Sequence, residues 1–420
     1  MKAHLFTLLF LSSVFAAAQT DTTQQIVKDR RNSLSQQEKP YVILISADGF
    51  RYDYAEKFGA ENITAFCSRG TKAESLIPSF PSKTFSNHYT IATGLYPAHH
   101  GLINNRFYDP QRDEHYSPGN RKAVEDGSWY GGIPIWVLAE QQQMLTASFF
   151  WVGSEAPVKG VYPTYHYKYN ELIPVGKRIQ TVKNWLELPE AQRPHLITFY
   201  LPEVDHAGHN YGPDSRETLE AVRFVDAAVK ELYEAVANTG LEVNFIFVSD
   251  HGMTRADTQN TLSLPAWADT SRYIISKDDI IVELYAKDKK SIRKDYRRLR
   301  KEAEGFRVYR KNRMPGHLQY GAKHDYHHRI GDITLVADWP KIFHYSEKPP
   351  DPGHHGYDPA RVKDMHAVFY AWGPAFRKGA TVPSFENVQV YPVIAEILGL
   401  PYSHNIDGDR DFAQRVLAPK

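Results

Sequence analysis

Cysteine is almost missing from this 420-residue chain: Cys67 stands alone, so neither an intrachain disulfide nor a thiolate zinc site can form. Any metal must therefore sit on histidine and carboxylate. An excess of one charge is also missing, since 50 Lys and Arg face 49 Asp and Glu for a formal net charge of +1. That balance excludes a basic nucleic-acid-wrapping protein and an acidic disordered tail, and no stable nucleic-acid complex is expected. Beyond residue 18 no apolar run approaches the roughly 20 residues that a membrane-spanning helix needs. Internal repeats and low-complexity tracts are absent. What the chain does have is 42% hydrophobic residues, enough for a large core, and 19 histidines, which make metal chemistry worth seeking.

At the N-terminus Lys2 and His4 precede the run LFTLLFLSSVFAAA, and Ala16 and Ala18 form a small-x-small site before Gln19. This predicts a signal peptide over residues 1–18 and a secreted or periplasmic protein with no transmembrane segment after cleavage. Residues 19–39 are polar and aperiodic and read as a linker, with the folded domain spanning 40–420.

Short apolar runs then alternate with helical patterns. YVILIS (41–46), ASFFWV (147–152), HLITFYL (195–201), EVNFIFVS (242–249), DITLVA (332–337) and HAVFYAW (366–372) suit strands covered on both faces. Between them, residues 218–237 place Leu219, Val222, Val225, Val229 and Leu232 at helical spacing. The fold class is α/β, a doubly wound, mostly parallel sheet sandwiched by helices. A strand, helix, strand pattern near 270–330 reads as a smaller inserted α+β subdomain. Its helix keeps Ile292, Tyr296, Leu299 and Ala303 on one face, so its many Lys and Arg residues form a solvated surface.

Three buried strands end alike. YVILISADG delivers Asp48, HLITFYLPEVDHAGH delivers Asp205 and His209, and EVNFIFVSDHG delivers Asp250 and His251. Ligands of open α/β sheets bind beyond the carboxyl ends of the strands, so these residues can converge. A lone strand-end Asp is usually a helix cap, but three, two of them with a nearby His, point to zinc held without thiolates. His355 or His354, in PGHHGYD, would complete a two-metal set. In PSFPSKTFSNHYT, Thr84 falls near a helix N-terminus, where free N–H groups favour anions, and becomes a candidate nucleophile.

SADGFRYDY, PSKTFSNHYT, TGLYPAHHGLINNRFYDP, WYGGIPIW, FWVGSE, PEVDHAGHNYGP, VSDHGM, HHGYDP and FENVQVYPVIAEILGL together resemble the successive motifs of the nucleotide pyrophosphatase/phosphodiesterase family, of the alkaline phosphatase superfamily. The resemblance runs in order from about Tyr41 to Leu400. It implies an alkaline-phosphatase-like fold, a bacterial member with the catalytic domain only, and two Zn²⁺ per chain. One zinc would be held by Asp205, His209 and His355, the other by Asp48, Asp250, His251 and the Thr84 oxygen. It further implies that Asn105 and a backbone N–H near Thr84 contact the phosphate, and that Phe85 and Tyr169 sandwich a nucleobase. The expected reaction is hydrolysis of a nucleotide phosphodiester or pyrophosphate to a nucleoside 5′-monophosphate, through a phospho-threonine. Ser86, Pro202 and Val204 depart from the family's usual wording, and none of them is a ligand.

Two rivals follow from the same residues. On the same fold, a lysophospholipid or choline-phosphodiester phosphodiesterase would replace the base slot with a choline or acyl site. Of a different class, a non-catalytic zinc-dependent binding protein would have no use for Thr84.

Overall fold

The computed structural model describes residues 22–419; the expected signal peptide lies outside the described residues. The central strand, Tyr41–Ala47, shows why the sheet must be covered twice. Val42 and Leu44 pack into one apolar cluster with Ile91, Ile135 and Ile394, while Ile43 and Ile45 pack into another with Val182, Val225 and Val229. Successive side chains of a strand point to opposite faces, so an unbroken apolar run needs helices on both.

The sheet has nine strands, in the order Gln25–Ile26, Tyr165–His166, Thr146–Phe149, Leu196–Leu201, Tyr41–Ala47, Val243–Val248, Phe369–Trp372, Thr71–Ala73 and Ala380–Val382. From Tyr165–His166 to Val243–Val248 every pairing is parallel. Phe369–Trp372 runs antiparallel to both of its neighbours. On one face lie helices Val175–Leu186 and Arg216–Ala237. The latter begins where the Ser215 hydroxyl accepts the Thr218 N–H at 3.1 Å, a side-chain cap, and buries Val222, Val225, Val229, Leu232 and Val236 along one stripe. Helices Thr84–Thr93, Ile135–Gln141 and Val390–Leu398 cover the other face. No helix among the described residues is long and apolar enough to cross a membrane.

Two sequence expectations are corrected. Residues 332–337 do not belong with the main strands: Ile333–Ala337 pairs with Ile281–Ala286 and Phe306–Arg310 in a separate four-stranded antiparallel sheet, completed by Tyr273–Ser276. The insertion therefore extends past the expected 330. A five-residue apolar run reads the same in either sheet, because its pairing partner is not written locally. The polar stretch 19–39 is not a free linker over its described part. Gln25–Ile26 adds an edge strand beside Tyr165–His166, and the buried Asn32 amide donates to the carbonyls of Glu190 and Arg193 at 2.8 and 2.7 Å. These attachments are polar, so no apolar periodicity announced them.

Inside the insertion, Glu283 is fully buried and accepts hydrogen bonds from Tyr320 and Thr334 hydroxyls and the Gly331 N–H. Burial outweighs these bonds and pushes the carboxyl up to about 7, from an ordinary 4.5. Because the folded value is the raised one, its contribution to stability is fully present below about pH 4.5 and is lost as pH rises through 7. At about 1.4 kcal/mol per unit the loss is on the order of 3 kcal/mol. Thermal unfolding of Glu283→Gln, set against the wild type at pH 5 and pH 8, should show the variant gaining relative stability at pH 8. A difference independent of pH would refute the assignment.

Candidate active site

The site lies where three neighbouring central strands end. Asp48 directly follows Tyr41–Ala47, and Asp250 follows Val243–Val248 by one residue. Asp205 and His209 sit one turn apart on helix Glu203–Tyr211, which starts as soon as Leu196–Leu201 stops. His355 arrives from the turn after Gly353–His354. Two glycines permit this crowding. A Cβ at Gly49, whose φ is +69°, would meet the Asp205 Cα at 2.9 Å, and one at Gly353 would meet the Gly208 carbonyl at 2.0 Å. Larger residues would hold the ligand-bearing segments apart.

His251 Nε2 lies 2.9 Å from Asp250 Oδ2, 3.4 Å from Asp48 Oδ1 and 3.2 Å from Thr84 Oγ1. Beside it, His209 Nε2 lies 3.1 Å from His355 Nε2 and 3.5 Å from Asp205 Oδ1. Ligand atoms of Asp205, His251 and His355 also fall within 4.8 Å of one another, so the two clusters are contiguous. Two atoms each about 2.0 Å from a tetrahedral zinc stand roughly 3.3 Å apart, which matches these spacings.

The hydrogen bonds fix which atoms face inward. His209, His251 and His355 each donate Nδ1–H to a backbone carbonyl, of Gly353, Gly252 and Ser82, all at 2.8 Å. A carbonyl only accepts, so Nδ1 carries a proton and Nε2 is the atom that each ring turns inward, free to ligate once it carries no proton of its own. The Nε2 atoms of His209 and His355 thus face one another across 3.1 Å. Asp48 Oδ1 and Asp205 Oδ1 are buried and have no hydrogen-bond partner among the described residues, while Asp250 Oδ2 faces His251 Nε2 at 2.9 Å and His88 Nδ1 at 3.3 Å. Burial, with Asp250 and Asp205 alongside, pushes the Asp48 carboxyl well above its ordinary value, although the Tyr200 hydroxyl donates to Oδ2 at 2.5 Å. Burial likewise holds His355 well below the usual imidazole range, in the neutral form that ligates metal. Converging Nε2 atoms and crowded carboxylates are a donor set that divalent cations fit.

Thr84 is the first residue of its helix, after Lys83 in extended conformation. Lys83 is buried and paired with Asp278 and Asp279 of the insertion. Asn105 Oδ1 accepts the Phe85 N–H at 2.8 Å. That leaves the Asn105 Nδ2 protons as its remaining donors, and it commits one amide expected to be free for phosphate. A cleft of about 170 Å³ opens from Thr84, lined by Phe85, Phe150, Trp151, Tyr169 and Tyr200. Phe85 leans on Tyr116 at 6.1 Å between centroids and Tyr169 on Phe150 at 5.1 Å, so each ring is backed by a different neighbour.

All ten residues singled out in the sequence meet here. His354 does not face the site: its ring bonds Asp279 Oδ2 at 2.5 Å and the Asp351 carbonyl at 2.9 Å. Sequence reasoning missed Tyr200 and the Lys83, Asp278, Asp279 cluster. Tyr200 sits in LITFYLPEVD, close to a ligand, and could have been found. The Asp278–Asp279 doublet is 195 residues from Lys83 and carried no local signal.

A family model described as type I phosphodiesterase/nucleotide pyrophosphatase matches residues 42–358. Ectonucleotide pyrophosphatase/phosphodiesterase family member 1 of Mus musculus is 35% identical over 379 residues, covering 86% of this chain and 41% of that protein. Venom phosphodiesterase 2 of Crotalus adamanteus is 36% identical over 383 residues, covering 88% and 46%. The chain thus spans less than half the length of these relatives. Among solved structures, murine ectonucleotide pyrophosphatase/phosphodiesterase 5 superposes with a TM-score of 0.82 at 29% identity, over 90% of this chain and 100% of that one. Its inactive threonine-to-alanine variant, in complex with AMP, gives the same TM-score at 28% identity and the same coverage. The alkaline-phosphatase-like fold expected from the sequence is the observed one.

Proposed function

The chain belongs to the type I phosphodiesterase/nucleotide pyrophosphatase family, and on that premise we propose that it is a zinc-dependent enzyme that hydrolyses nucleotide phosphodiester or pyrophosphate bonds to nucleoside 5′-monophosphates through a phospho-threonine on Thr84. The observation that carries this reading is the position of the Thr84 hydroxyl, 3.2 Å from His251 Nε2 at the edge of the ligand cluster and at the mouth of an aromatic cleft. The murine neighbour whose threonine variant is inactive yet holds AMP supports it.

Asp205, His209 and His355 would hold one cation, and Asp48, Asp250, His251 and Thr84 the other. When bound, such cations supply Lewis acidity that lets a hydroxyl or water act as a nucleophile near neutral pH. Thr84 Oγ1 attacks phosphorus in line, forming a P–O bond to threonine as the bond to the leaving alcohol or phosphate breaks. Water then attacks the same phosphorus, restores the Thr84 hydroxyl and releases the monoester. Asn105 Nδ2 donates to a phosphoryl oxygen, from an amide held by Phe85 N–H. Its neutrality suits a diester, which carries one negative charge fewer than a monoester dianion. Phe85 and Tyr169 clamp the base in the cleft.

Initial rates on p-nitrophenyl thymidine 5′-monophosphate, p-nitrophenyl phosphate and p-nitrophenylphosphocholine test the assignment. The nucleotide diester should be favoured by orders of magnitude; a preference for the choline ester would move the substrate to lipids, and a comparable rate on the monoester would remove the role given to Asn105. Phe85→Ala and Tyr169→Ala should each weaken nucleotide substrates by about 1–3 kcal/mol, the worth of one base stacked on an aromatic. A diester without a base should be spared. Export belongs to the same proposal, with mature protein from the native host starting near Gln19, as N-terminal sequencing would read.

A further inference from the structure

Asn105 lies on the segment 102–106, between the turn at Gly101 and the strand Phe107–Asp109. The chain before that segment, at Gly101, and after it, at Phe107 and Asp109, is gripped by one side chain from the insertion. Arg329 is 2% exposed and reaches across the subdomain boundary to donate Nη1 to the carbonyls of Gly101 and Trp129, at 2.8 and 2.7 Å. Its Nε donates to Asp109 Oδ2 at 2.9 Å, and its guanidinium lies over the Phe107 ring, 5.4 Å from the centroid. The fit leaves no slack: a Cβ at Gly101, whose φ is +90°, would stand 2.6 Å from Nη1. Arg329 is itself held from behind, because Asp325 accepts its backbone N–H at 2.8 Å and pairs with Lys311. A second strut comes from the same subdomain, where Ser276 Oγ donates to the Arg106 carbonyl at 3.1 Å.

A planar guanidinium has five donors in a fixed fork, so it can hold two carbonyls and a carboxylate at once. Lysine offers a single point charge on a flexible stem and cannot. We propose that Arg329 is a positioning residue for the reaction: by clamping the chain at Gly101 and at Asp109, on either side of the 102–106 segment, it sets where the Asn105 amide meets the phosphoryl group beside Thr84. The inserted subdomain thereby takes part in turnover without touching substrate. This rests on the phosphodiesterase reading and on the role given there to Asn105.

The test is a double-mutant cycle on full-length protein, with Arg329→Lys, Asn105→Ala and their combination, measuring kcat and KM on p-nitrophenyl thymidine 5′-monophosphate and on base-free bis(p-nitrophenyl) phosphate. Arg329→Lys should lower kcat about 10- to 100-fold, the scale of a misplaced catalytic group, and equally on both substrates. In the Asn105→Ala background it should cost no more than about twofold, since the group it positions is gone. Equal losses in both backgrounds would show a general structural role and overturn the proposal, as would a loss confined to the nucleotide, which would place the effect in the base slot. Should Arg329→Lys fail to fold, Asp109→Asn weakens the same anchor and enters the same cycle. Amide hydrogen exchange reads the clamp without turnover: faster exchange confined to residues 101–109 supports it, and unchanged or uniformly faster exchange refutes it. A wild type inactive on all diesters would instead bring down the functional reading, and this inference with it.

Discussion

Thr84→Ala is expected to lose turnover by about four to six orders of magnitude, the scale on which removing a nucleophile disables a hydrolase. The fold should survive, because Thr84 begins its helix without capping it through its side chain and is not part of the apolar core. The ligand cluster should survive as well: Asp48, Asp250 and His251 remain within reach of one another. The variant should therefore still bind a nucleoside monophosphate, measurable by calorimetry, while releasing no product. Thr84→Ser keeps the hydroxyl and should retain substantial activity. Stereochemistry provides an independent reading, since two in-line displacements invert phosphorus twice. Net retention is expected with a chiral phosphorothioate diester. Net inversion, or a Thr84→Ala variant that keeps most of its rate, would transfer the attack to water and leave Thr84 a ligand only.

Removing metal should have an effect of the same order. A strong chelator is expected to reduce diester hydrolysis to background, and Zn²⁺ to restore it, with about two equivalents of metal found by elemental analysis of the active protein. Buried carboxylate oxygens of Asp48 and Asp205 without hydrogen-bond partners crowd, with Asp250, against the inward-facing Nε2 atoms of His209, His251 and His355, and burial with the neighbouring carboxylates penalises the Asp48 charge until a cation compensates it. A ligand that binds only the folded state at 1,000 times its Kd stabilises it by about 4.1 kcal/mol, so the apo protein should also melt earlier. Active protein containing only traces of metal would dismiss the assignment.

The parts of the site that the sequence made legible are those whose position follows from a strand end. Asp48, Asp205 and Asp250 each close an apolar run, and the sheet brings their distant segments together without further information. His355 was reachable only through the family motif, since PGHHGYD offers two histidines and local patterning does not say which one turns inward. What stayed hidden depends on long-range polar pairing. The Lys83 bond to Asp279, the Arg329 bond to Asp109 and the attachment of Asn32 join residues between about 160 and 220 positions apart, and none leaves a periodic trace. The transfer of 332–337 to the inserted sheet belongs to the same class, because a strand's chemistry does not name its neighbour.

The two halves of the ligand cluster differ in how they are attached, and that sets a timescale. Asp48, Asp250 and His251 hang directly on adjacent central strands, with side chains at most 2% exposed. Groups fixed there move only when the sheet opens, which is the rarest and slowest fluctuation a domain makes. His209 and His355 ride on a helix and a turn, and the His209 side chain is 26% exposed. An ion held on the Asp205 side, where His209 is the most exposed of the ligands, would be expected to exchange faster than one held beside Thr84. The expected outcome, were both sides loaded, is exchange in two phases, one fast equivalent and one slow.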